Sequence, residues 1–160
     1  MRIGVLSDTH SKKLPAQMLE DFSKVDLLIH VGDFCNLIDY QNLQKIQRLE
    51  SVSGNMDTPE LSRHIPSKKI INCEGVAIGL FHGEGAPAAL VDRVKAEFAH
   101  DDVAVVVFGH SHHPLNEKIG KVLFFNPGSP TDTIFAPYRS YGILDIKNKE
   151  VVGQIIRIKE

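Results

Sequence analysis

The chain has no tryptophan and only two cysteines, Cys35 and Cys73. Two thiols are too few for a disulfide framework, so stability must rest on a buried core, and both thiols are expected to be reduced. A basic surplus is missing as well: 18 Lys and Arg stand against 20 Asp and Glu, a formal net charge of -2. Binding a phosphate backbone needs such a surplus, so no nucleic-acid-binding module is evident, although a nucleotide-sized substrate stays open. Long hydrophobic runs are also absent. The longest, Val103 to Phe108, falls far short of the ~20 apolar residues that span a bilayer, and the N-terminus meets Arg2 and Asp8 too soon for a signal h-region. No membrane association and a cytoplasmic location are expected.

What is present is enough for a core. The 160 residues are 42% hydrophobic and 24% charged, which suits one domain over residues 1–160. Short runs rich in Val and Ile at Ile3–Leu6, Leu27–Val31, Val76–Phe81 and Val103–Phe108 read as strands buried on both faces. Between them lie helical patterns: Leu14 to Phe22; a segment capped by Asn36 with Leu37, Tyr40, Leu43 and Ile46 on one face; and one opened by Pro87 with Leu90, Val91, Val94 and Phe98. Strand and helix in alternation predict an α/β fold with a largely parallel sheet. In the last third, Val122–Phe125, Gly142–Ile146 and Val151–Ile158 predict antiparallel hairpins joined by turns such as Lys147-Asn148-Lys149. Two sheets with helices outside them are therefore expected.

In an open α/β sheet ligands bind beyond the carboxyl ends of the strands, so the residues just past each apolar run carry the chemistry. Those positions are Asp8-Thr9-His10, Gly32-Asp33, Gly54-Asn55, His82-Gly83 and Gly109-His110-Ser111-His112. Residues two apart on an extended segment point the same way, so Asp8 with His10 and His110 with His112 could share a site. Singly, each has an ordinary reading, a solvent-facing histidine or an aspartate in a turn. Five strand ends that all carry a ligand type are hard to explain by turn chemistry. Carboxylate, imidazole and amide without thiolate favour manganese, iron, zinc, nickel or cobalt over a Cys-rich structural zinc site, and the donor set does not choose among these five.

In this order the five blocks resemble those of the calcineurin-like metallophosphoesterases, and Asn126-Pro127-Gly128-Ser129 resembles a segment of that superfamily's small phosphodiesterase branch. The resemblance implies a two-sheet β-sandwich flanked by helices and two divalent metal ions. Asp8, His10 and His112 would hold one ion, Asn55, His82 and His110 the other, and Asp33 would bridge them. Asp33, Asn55 and His82 would be the catalytic residues, in attack of a metal-bridging hydroxide on a small phosphodiester. Where many relatives carry a histidine after the Gly-Asn pair, a group thought to assist the leaving group, this chain has Met56. Asp57 is expected to reach a ligand or water through hydrogen bonds, or to serve a turn. His30 reads as packed or as a support behind the ligands, His113 as the start of the loop at Pro114, His64 and His100 as surface residues, with His64 the remaining candidate for a mobile acid, and Cys35 as packing near the site.

The same branch resembles Vps29, a retromer subunit that works as a protein-binding scaffold, so a non-catalytic module is the alternative from another class, and a phosphomonoesterase the alternative among enzymes. Fold does not separate them, but a scaffold needs no complete donor set. A homo-oligomer is left open, with Phe124-Phe125 expected as an exposed contact.

Overall fold

The computed structural model describes residues 1–159. Two five-stranded mixed sheets pack face to face. The first comprises β1 (Arg2–Leu6), β2 (Leu27–Val31), β3 (Leu49–Val52), β9 (Ser140–Lys147) and β10 (Glu150–Arg157), in the order β10-β9-β1-β2-β3. The second comprises β4 (Lys68–Cys73), β5 (Val76–Phe81), β6 (Val105–Val107), β7 (Leu115–Ile119) and β8 (Val122–Asn126), in the order β4-β5-β6-β8-β7. In the first sheet β1, β2 and β3 are parallel and β9 and β10 add an antiparallel hairpin beside β1; in the second, β5, β6 and β8 are parallel and the edge strands β4 and β7 pair antiparallel. The expected two-sheet sandwich with terminal hairpins is the architecture found.

Period-two alternation divides the core into layers. Ile3, Val5, Ile29 and Val31 face Ile78, Leu80, Val105, Val107 and Phe125 between the sheets. Their neighbours turn outward: Leu6, Leu28 and Ile143 pack beneath α1 (Ala16–Phe22), α2 (Leu37–Gln44) and α3 (Pro59–Ser62). Phe108 and Val106 pack beneath α4 (Leu90–Glu97), which follows a single 3-10 turn at Pro87–Ala89. Gly79 lies so close under this helix that a Cβ there would sit 2.4 Å from the Phe98 ring. Asn36 caps α2 as its position predicts, accepting the Asp39 amide at 3.0 Å, an interaction worth about 1 kcal/mol. The first helix starts at Ala16 rather than Leu14, because Pro15 holds an extended conformation and serves as its N-cap.

Two expectations are corrected. The Val103 run is a strand only over Val105–Val107. Phe124 and Phe125 are buried, at 5% and 0% exposure, the first under α4 and the second between the sheets, so this pair is no exposed contact. Strands β4 and β7 mix charged and polar side chains with apolar ones at sheet edges and, like β3, lack a long apolar run. The histidines outside the blocks fall as expected: His30 is fully buried and stacked on Phe34 at 3.5 Å, and His64, His100 and His113 are exposed. Among the described residues, no helix is long and apolar enough to cross a membrane.

Candidate metal centre

All seven proposed donors meet where the carboxyl ends of the two sheets come together. The first sheet sends Asp8 and His10 from beyond β1, Asp33 from beyond β2 and Asn55 from beyond β3; the second sends His82 from beyond β5 and His110 and His112 from beyond β6. The donor atoms of Asp8, His10 and His112 lie within 4.8 Å of one another, as do those of Asp8, Asp33 and His82. Asp8 belongs to both groups. Asp33 also stands between them, with Oδ2 3.4 Å from His82 Nε2 and 3.9 Å from His10 Nε2.

The backbone that delivers these groups is not extended. Asp8, His10, Asp33, His110 and His112 all have φ between 48° and 69°, the left-handed region, and Ser11 and Cys35 beside them also have positive φ, 56° and 81°. The spacing rule for strands therefore does not apply at Asp8/His10 or His110/His112: both pairs lie in tight turns past the strand ends. A non-glycine residue in this conformation costs of order 1–3 kcal/mol, tolerated where the surroundings fix it. Five of the seven donors carry that strain, which marks a site under functional constraint. Glycines allow the approach. A Cβ on Gly54 would sit 2.2 Å from Asp33 Oδ1, and one on Gly109 would sit 1.9 Å from Ser7 Oγ.

Each imidazole has one nitrogen engaged away from the cluster. His82 Nδ1 is 2.7 Å from Val31 O, His110 Nε2 is 2.8 Å from Gly85 O, His112 Nδ1 is 2.6 Å from Asp132 Oδ2, and His10 Nδ1 is 3.5 Å from Cys35 Sγ. Assigning the proton to the engaged nitrogen leaves the other lone pair facing the cluster in all four rings. The result is a set of acceptors that face acceptors. His10 Nε2 and His112 Nε2 are 3.2 Å apart, and His110 Nδ1 is 3.1 Å from Asn55 Oδ1. Asp8 Oδ1 and His82 Nε2 are buried and have no hydrogen-bond partner among the described residues, an expensive arrangement unless a cation occupies the space between. Two neighbouring ligand atoms of an octahedral ion bound at about 2.1 Å are about 3 Å apart, so these separations fit divalent metal. The donor set of carboxylate, imidazole and amide fits it chemically as well.

Without metal, protons take the same places. Burial pushes the His112 imidazolium toward losing its proton, but Asp8 and Asp132 prevail and raise its pKa to about 9. His82 is likewise raised, burial being outweighed by Asp33 and Asp8. Asp33 is held low against its own burial by His82, the Met56 amide and His10. Burial, reinforced by neighbouring carboxylates, pushes the Cys35 thiol up to about 11, which makes it a poor thiolate ligand.

Two supports for the cluster differ from, or go beyond, what the motifs suggested. Asp57 turns inward to bind backbone, accepting the amides of Asp33 at 3.2 Å and of Cys35 and Gly54 at 2.8 Å, and so clamps the turn that carries Asp33 to the one that carries Asn55. Asp132 was not singled out. A lone aspartate in a loop between Pro130 and Pro137 carries no motif, yet it orients His112 in the carboxylate–histidine arrangement common behind metals. The Asn126-Pro127-Gly128-Ser129 segment buttresses from behind: Asn126 Nδ2 donates to Gly109 O at 2.9 Å and Ser129 Oγ to Asp8 O at 2.8 Å.

Comparisons with known proteins bear on the family and the fold. The family model described as "Calcineurin-like phosphoesterase superfamily domain" matches residues 1–149. A "Probable metallophosphoesterase" of Methanocaldococcus jannaschii is 34% identical, covering 100% of this chain and 83% of its own. A protein of the same organism named a phosphodiesterase is 29% identical over 94% of this chain and 96% of its own. Among solved structures, a Vps29 single mutant from Entamoeba histolytica superposes with a TM-score of 0.79, covering 99% of this chain and 100% of its own at 21% identity, a likeness of fold.

Proposed function

Because the chain belongs to the calcineurin-like phosphoesterase superfamily, we propose that it is a metal-dependent phosphodiesterase acting on small phosphodiesters. Asp8, His10 and His112 would hold one divalent ion, Asn55, His82 and His110 a second, with Asp33 shared; manganese is the first candidate for both. The observation that carries this reading is the set of four imidazoles, each with one nitrogen engaged outward and the other facing a cluster that includes two unpartnered buried atoms.

Bound ions would supply a nucleophile from water at neutral pH and positive charge for the phosphoryl oxygens. The chain's own groups do the rest. Asp33 is fixed from both sides, its Oδ1 by the Met56 amide at 2.8 Å and its Oδ2 facing His82. Asn55 and His110 lie toward the solvent side of the cluster, where the Asn55 amide can donate to a phosphoryl oxygen and His82, deeper, holds the charge behind it. Met56 offers no proton to the departing oxygen, so hydrolysis depends on how well that oxygen leaves.

The test is metal analysis of the purified chain, then assay of bis(p-nitrophenyl) phosphate and p-nitrophenyl phosphate before chelation, after it, and after reloading. The expected result is two ions per chain, activity lost on chelation and restored by Mn²⁺, and faster turnover of the diester. Full activity with metal removal confirmed would overturn metal dependence. Preference for the monoester would make the chain a phosphomonoesterase, and inactivity of the loaded chain would favour the scaffold.

A further inference from the structure

The described surface exposes six large apolar side chains, and three of them border the candidate metal centre: Met56 at 58% exposure, Ile134 at 76% and Phe135 at 71%. Each is tied by its own backbone amide to a carboxylate of the site. Met56 N donates to Asp33 Oδ1, Ile134 N to Asp132 Oδ1, and Phe135 N to both Asp132 oxygens at 3.3 and 3.2 Å. Asp132 is the carboxylate that orients His112, and it also accepts the Ala136 amide at 3.0 Å. One side chain therefore sets both a metal donor and the stretch that displays Phe135. The Phe135 ring stands 6.4 Å from the His112 ring, steeply tilted at 70°, with most of its surface open to water.

An exposed Phe forgoes about 1.5–3 kcal/mol that burial would give, so a ring fixed in the open beside a reactive centre calls for an occupant. Resting on the phosphoesterase reading above, we propose that Phe135 is the substrate-positioning residue for the ester's organic group, which is planar and aromatic and stacks on the ring while the phosphate lies at the donor cluster. Stacking on an aromatic side chain tolerates any planar group, and the adaptable Met56 thioether on the neighbouring rim suits the same partner. A protein-docking knob would not need to share its anchor with a metal donor.

The experiment is direct binding by calorimetry to the metal-loaded full chain, using phenylphosphonate and methylphosphonate, which cannot be hydrolysed. The wild type should bind the phenyl compound about tenfold more tightly. Phe135→Ala should erase that preference while leaving methylphosphonate affinity and metal content unchanged; Phe135→Trp should keep it. The same phenyl preference in Phe135→Ala, no preference in the wild type, or loss of both ligands in the alanine variant would each overturn the assignment. Turnover is measured separately on a diester: a wild type that discriminates in binding but hydrolyses nothing would sink the hydrolase reading and leave Phe135 its role.

Discussion

The carboxylate of Asp132 accepts three backbone amides and the His112 ring together, and this crowding holds its pKa well below the ordinary carboxylate range despite partial burial. Asparagine at this position keeps an acceptor for the loop but loses the charge that fixes the His112 tautomer. Asp132→Asn should therefore weaken metal affinity by about 10–100-fold, read by competition against a chelator, with little change in the fold. An unchanged affinity would show that the His112 contact is incidental. Met56 sets the other expectation at this scale. Aryl diesters, whose leaving groups depart without protonation, should turn over much faster than alkyl diesters in single-turnover measurements, and Met56→His should narrow the gap by speeding the poorer substrates. A flat dependence on leaving-group pKa in the wild type would mean that another group already supplies the proton.

The loops beyond β2 and β3 act as one element because Asp57 joins them. Asp57→Ala would strand three part-buried amides, and the expected loss is about 3 kcal/mol in urea unfolding of the metal-free chain, with weaker metal binding as a consequence. A loss below 1 kcal/mol would show that water replaces the clamp. Why Asp57 resisted a definite reading, and Asp132 any reading, follows from the nature of the signal. Six of the seven proposed donors were legible because each follows a strand recognisable by its apolar run, and strand ends are where α/β sheets bind; Asn55 follows β3, whose sequence Leu-Glu-Ser-Val has no such run, and only the Gly54-Asn55 pair marked it. Asp57 and Asp132 act on backbone amides and on one imidazole, contacts set by loops whose paths no local pattern encodes. The left-handed turns at Asp8, His10, His110 and His112 were missed for a related reason: two-residue spacing has meaning within a strand, and these residues lie just beyond one. Likewise β4 and β7 escaped because edge strands carry charge and polarity instead of an apolar run.

For the molecule as a whole, the proposed donors come from both sheets, so bound metal would pin the sandwich together at one end. At a free-ion concentration a thousandfold above the dissociation constant, this is worth about 4 kcal/mol, or roughly 10 °C in melting temperature for a chain of this size. The gain should grow with pH. In the metal-free chain the His112 pKa is raised from the unfolded value near 6.5 to about 9, so its contribution is complete below pH 6.5 and disappears as pH rises through 9. His82, raised as well, acts in the same sense. The metal-free melting temperature should fall between pH 6.5 and 9 while the loaded one holds, measured by thermal unfolding with and without chelator. Equal pH slopes in the two states would show that these imidazoles do not exchange protons for metal.

The position of β1 between β2 and β9 has a consequence for how the chain is made. Its neighbour on one side follows within about twenty residues, but the strand that pairs Val5 with Gly142 is separated from it by most of the polypeptide. At ~5–20 residues per second, a ribosome needs roughly ten seconds or more to deliver β9, and Ser129 and Thr131, which brace the Asp8 and Thr9 carbonyls, arrive only shortly before it. Until then the strand that leads into two metal donors has an unpaired edge, open to joining another nascent chain. A ribosome stalled ahead of residue 140 would keep that edge open, so synthesis speed through the last quarter of the message bears directly on yield of the folded protein.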